Sequence, residues 1–83
     1  MLKRDKKPIV EVEWIDAQSS LETHLIEELN NYEPYTTFSV GYLVVEKEDF
    51  IVLAFTDFGE GMIKHFQCIP RSIIKKIEVI REE

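Results

Sequence analysis

Apolar and polar residues alternate along this chain with two different periods, and the change of period divides it. Residues 9 to 16 read Ile-Val-Glu-Val-Glu-Trp-Ile-Asp. Val10, Val12 and Trp14 fall on one side of an extended chain and Glu11 and Glu13 on the other, the mark of a half-buried strand. Pro8 stands where such a strand begins. Between 17 and 35 the period lengthens. Leu21, Leu25 and Leu29 recur at every fourth position with Ile26 beside them, which is one apolar stripe on a helix of about three turns. Ser19-x-x-Glu22 fits a capping box, in which each side chain satisfies a free backbone N–H. Asn30-Asn31 ends the pattern and Glu33-Pro34 bars its continuation. The spacing predicts a helix over 20–31 whose leucine stripe covers an open end or flank of the remaining structure.

From 36 onward the chain is rich in β-branched and aromatic residues. Val40, Tyr42 and Val44 alternate with Gly41, Leu43 and Val45, so both faces of a strand over 36–46 are apolar. Gly41 within it signals a bend or a close approach of another backbone. Lys47-Glu48-Asp49 is a polar turn leading to a strand over 50–58, and the two form a hairpin. Residues 57–61 make a second turn, followed by a strand over 62–69 that Pro70 stops. Arg71-Ser72-Ile73 suits one 3₁₀ turn, and a last strand covers 74–80. Five short strands with two apolar faces gain most by closing on themselves, which removes edges and encloses one core. The predicted fold is mainly β: a small five-stranded SH3-like barrel, with one helix between strands 1 and 2 and a 3₁₀ turn before the last strand. Residues 1–8 form a basic N-terminal tail and 9–83 the single barrel domain.

At 83 residues the chain makes one small domain that buries only about 60–65% of its unfolded surface, and self-association is a common remedy for so thin a core. A homo-oligomer is therefore expected, built by strand-edge or helix packing. The lone cysteine, Cys68, allows no internal disulfide and fits a reducing, cytoplasmic compartment. One Cys and two His cannot supply the usual four zinc ligands, so no metal and no cofactor is expected. The apolar runs are too short to span a bilayer, and the start lacks the apolar stretch of a signal peptide. The net charge of −6 is unevenly spread. Lys3, Arg4, Lys6 and Lys7 crowd the start, residues 9–60 hold one base (Lys47) among their acids, and Lys64, Arg71, Lys75, Lys76 and Arg81 give residues 61–83 a basic surplus. An acidic body repels nucleic-acid backbones and leaves room only for a local anion pocket near the C-terminal strands.

Three segments in order carry a resemblance: Val12-Glu13-Trp14-Ile15-Asp16, then Val40-Gly41-Tyr42-Leu43, then Ile69-Pro70-Arg71-Ser72 ahead of Ile73-Ile74. Over residues 10–80 the series resembles a group of short phage and prophage proteins with a predicted Sm-like (SH3-like) barrel. The resemblance implies an Sm-like fold and a viral setting, with the host cell cytoplasm as the location. It carries no catalytic residues. The Sm motifs that bind uridine are not recognisable here, which with the acidic body disfavours RNA.

The candidate binding residues lie in the basic surplus. Pro70 directs the chain into a turn whose first N–H groups point outward, a setting that favours an anion. Arg71 adds a planar fork suited to phosphate. Ser72 would donate a hydrogen bond, Lys64 and His65 on the preceding strand would add charge, and Trp14 would stack on a base. The alternatives are that Arg71 pairs with a carboxylate such as Asp16, that Ser72 caps the turn, and that Trp14 is core or subunit interface. Cys68, among Met62, Phe66 and Ile69, reads as a buried structural thiol. Asp57 and Glu60 read as turn stabilisers. No nucleophile paired with a base is visible, so no enzyme is expected. The reading that follows is a non-enzymatic protein that, in the phage setting, acts as an anti-defence sponge holding a nucleotide-derived signal between subunits. The competing readings are an Sm-like RNA- or DNA-binding module and an acidic protein-interaction or inhibitor module.

Overall fold

The structure, a computed structural model, describes residues 5–17 and 19–82. Strands β1 (Ile9–Asp16), β2 (Tyr35–Glu46), β3 (Phe50–Gly59), β4 (Met62–Pro70) and β5 (Ile74–Arg81) form one antiparallel sheet in the order β4-β3-β2-β1-β5. A 3₁₀ turn (Arg71–Ile73) leads into β5. The mainly β class, the strand order along the chain and the 3₁₀ turn follow the sequence pattern, with strand bounds within one residue. Of the basic tail expected over 1–8, Lys3 and Arg4 lie outside the described residues.

Period-two alternation sets the core. Val10, Val12 and Trp14 on β1 are buried together with Ile51 and Leu53 on β3 and Ile69 on β4. Leu43, Ile73, Ile74 and Ile77 pack against them. Every strand thus feeds one core, and a flat sheet could not bring β4 and β5 to it from opposite edges. The sheet curls. A hydrogen bond across the curl joins Ser39 Oγ of β2 to Gln67 Oε1 of β4 at 2.8 Å, although β3 lies between these strands in the sheet. Gly41 sits where the backbones come closest: a Cβ there would lie 2.9 Å from the carbonyl oxygen of Ala54. Only glycine fits, as its position in the sequence suggests. One extra residue, between the pairs Leu43–Leu53 and Val45–Val52, bulges β2 and sharpens the bend.

Among the described residues no ladder joins β4 to β5, so the sheet ends on two unpaired edges. Closure of a barrel by main-chain hydrogen bonds is not present in the single chain.

The stretch between β1 and β2 corrects the sequence reading. Only α1 (Ile26–Leu29) is helical, not 20–31. The capping box does not form; Ser20 Oγ instead accepts a hydrogen bond from the Glu22 N–H at 3.1 Å. The leucine stripe covers nothing: Leu21, Leu25 and Ile26 are among the most exposed apolar residues. The cause is physical. A helix this short is marginal in water unless its apolar face is buried, and here the sheet does not offer it a surface. The segment stands off as an arm, and the radius of gyration is 16.6 Å, against about 12 Å for a compact chain of this length.

Candidate functional site

The sequence gathers Arg71, Ser72, Lys64, His65 and Trp14 into one anion site. The fold disperses them. Arg71 is a structural latch. Its backbone N–H donates to Asp49 O at 2.9 Å, its Nε donates to Lys47 O at 2.9 Å, and its guanidinium lies 3.6 Å from the Glu46 carboxylate. These contacts tie the corner between β4 and β5 to the turn between β2 and β3. A carboxylate partner was the alternative for Arg71, but it is Glu46 and not Asp16. Ser72 is exposed and does not cap the 3₁₀ turn, whose N-cap position is held by Pro70 without a side-chain hydrogen bond.

Trp14 is buried, and its Nε1–H donates to Ser39 Oγ at 3.0 Å. Ser39 passes the hydrogen bond on to Gln67. The indole is therefore a core side chain with a satisfied polar tip, and its face is not open to a base.

Lys64 and His65 lie at the other end of β4. Six residues of strand separate His65 from Arg71, about 20 Å, so one chain cannot offer them to one phosphate. Both are exposed, and among the described residues Lys64 has no ion-pair partner. His65 has φ +59°, a left-handed conformation inside a strand, which costs a non-glycine residue about 1–2 kcal/mol.

Cys68 is another correction. It is exposed, because Ile69 turns inward beside Ile51 and alternation then sends Cys68 out. The pairs Tyr42–Ala54 and Ala54–Phe66 set three residues in one cross-strand row on that outer side, with Lys64 two residues further along β4. Asp57 behaves as a turn stabiliser: its Oδ1 accepts from the Gly59 N–H at 2.9 Å, and Lys7 Nζ lies 3.5 Å from its Oδ2. The turn it supports has Glu60 at φ +55° and Gly61 at φ +75°, both central residues left-handed as a two-residue hairpin requires.

Sequence reasoning missed one arrangement. On the arm, Ser20 Oγ lies 3.1 Å from His24 Nε2, and His24 Nδ1 lies 3.7 Å from Glu28 Oε2. Ser19, His24, Leu29, Tyr32 and Pro34 border the same cleft of about 450 Å³. Ser20 and His24 lie outside the one helical turn and meet through the local fold of the arm. The order hydroxyl, imidazole, carboxylate resembles a catalytic relay, but its chemistry stops short. The Glu28 contact, at 3.7 Å, is too long to be a hydrogen bond that fixes the ring. A relay also needs donors aimed at a developing oxyanion. The T-shaped contact of His24 with Tyr32, 5.8 Å between ring centroids, makes the group a local clasp that folds the arm back on itself.

No protein family, curated protein or solved structure matches this chain.

Proposed function

We propose that this chain is a non-catalytic binding module that works as a homo-oligomer, its curled sheet being an SH3-like or Sm-like barrel left open between β4 and β5. The observation that carries the reading is the apolar surface left uncovered. Phe38, Val40 and Phe66 on the sheet, together with Leu21, Leu25 and Ile26 on the arm, are exposed in the single chain. Apolar patches on this scale mark interaction surfaces rather than solvated ones. Two unpaired strand edges add main-chain donors and acceptors that a neighbour can satisfy. Light scattering at micromolar protein tests the reading: a mass above one protomer supports it, and a strict monomer ends it.

A second reading, capture of a nucleotide-type anion between subunits, keeps one observation in its favour, the exposed Lys64, which has no ion-pair partner among the described residues. In the phage setting implied by the resemblance, such capture is an anti-defence sponge. Calorimetry against cyclic and linear nucleotides decides it. Lys64→Ala is the informative variant, because Arg71→Ala would disturb the latch as well. Absence of heat with every nucleotide removes the anion and leaves assembly and protein contacts as the function.

A further inference from the structure

We propose that the arm over residues 19–34 is the docking element for a second copy of this chain, laying its leucine stripe along Met62, Lys64 and Phe66 on the outer side of β4. The inference rests on the homo-oligomer reading and says which surfaces meet.

Four observations converge on it. The first is the conflict between sequence and structure in the arm. Leu21, Leu25, Ile26 and Leu29 keep a helical period over three turns, yet only Ile26–Leu29 is helical and all four side chains are exposed. A stripe of this kind is an amphipathic helix waiting for a surface. The second is charge. The arm carries Glu22, Glu27, Glu28 and Glu33 and no lysine or arginine. The β4 strip carries Lys64, which has no ion-pair partner among the described residues, with His65 beside it. An acidic apolar helix and a basic apolar strand are complementary.

The third is geometry. Met62, Lys64 and Phe66 stand at alternate positions of β4 and all three are exposed. Four strand residues span about 13 Å. Leu21 to Leu29 spans about 12 Å in a helix, so the ends of the stripe meet Met62 and Phe66 with Lys64 facing the acids between. In the single chain the two surfaces stay apart, and Leu21, Leu25, Ile26, Met62 and Phe66 are all left exposed. The fourth is area. The accessible surface of 6617 Å² exceeds the roughly 5,200 Å² expected of a compact chain of this mass by about a quarter. That excess is larger than the roughly 800 Å² that a standard interface removes from each partner.

Docking extends the helix toward residues 20–31, and assembly and helix formation become one event. The test uses the whole chain. The wild type at micromolar concentration is expected to run above one protomer by light scattering, with a helical circular-dichroism signal that falls on dilution. Leu25→Asp with Ile26→Asp is expected to give a monomer that keeps the tertiary signal of buried Trp14, showing that the sheet still folds. Lys64→Glu is expected to weaken association by about tenfold or more, and adding Glu27→Lys and Glu28→Lys to it restores the wild-type mass. Leu29→Cys is expected to form a disulfide with Cys68 of a second copy. An arm variant that keeps the wild-type mass overturns this docking and leaves the homo-oligomer reading standing. A monomeric wild type overturns both and assigns the arm to a different protein.

Discussion

Leu53 and Leu25 are the same side chain in opposite circumstances. Leu53 is wholly buried, on a strand whose neighbours on both sides hold it in register, whereas Leu25 is 67% exposed beside a helix of one turn. Each lies in a regular apolar pattern in the sequence. The sheet half of the chain finds its partners within itself, because β1 runs between β2 and β5 and β3 runs between β2 and β4. The arm half does not. A hydrophobic pattern marks side chains suited to burial, and the fold of the chain decides which of them it buries.

The contrast can be broken by substitution. Leu53→Ala is expected to destabilise by about 2–5 kcal/mol, the usual cost of emptying a core site. Leu25→Ala is expected to stay within about 0.5 kcal/mol in dilute protein, as exposed positions do. Urea unfolding of both at a concentration where the chain is monomeric makes the comparison, and equal losses would mean that the arm is packed on its own sheet. Next in size, Gly41→Ala drives a methyl into the Ala54 carbonyl and is expected to cost about 1–3 kcal/mol. Thermal melts read it. Ser39→Ala strands the Trp14 N–H and the Gln67 oxygen inside the curl. It is expected to cost a similar or slightly smaller amount, about 1–3 kcal/mol, and to change the emission of Trp14. Smallest among the sheet changes, Arg71→Ala removes the bond to Lys47 O and is expected to cost about 1 kcal/mol. A loss of stability without loss of any ligand would keep Arg71 as a latch and not an anion fork.

The strands and the 3₁₀ turn were legible because their signals are local. Alternation in residues 9–16 fixes which side of β1 is core, Pro70 fixes where β4 stops, and Gly41 announces the close contact it makes with Ala54. The helix was read as longer than it is because periodicity says nothing about whether a partner surface exists. The candidate site was placed around Arg71 because residues 61–83 hold the basic surplus and the turn after Pro70 suits an anion, with two subunits meeting there. An extended strand sets its two ends about 20 Å apart, and that distance separates His65 from Arg71. Cys68 was assigned to the core from its apolar neighbours, but the parity of β4 is fixed by Ile69, which decides the matter one residue further on. The link between Ser20 and His24 went unread because a hydroxyl four residues from an imidazole is unremarkable until the turn that joins them is known.

The pairing of β1 with both β2 and β5 has a consequence for how the chain acquires its shape. Val12 faces Ser39 on one side and Ile77 on the other, so the strand at the heart of the core is completed by residues far along the chain. Until β5 arrives, β1 is a half-paired edge and the core it lines lacks Ile74 and Ile77. Folding of this topology is governed by contacts distant in sequence and is slow compared with that of helical bundles. A chain emerging from a ribosome would hold this strand open until β5 has been made, and pairing with β5 is the step that protects it.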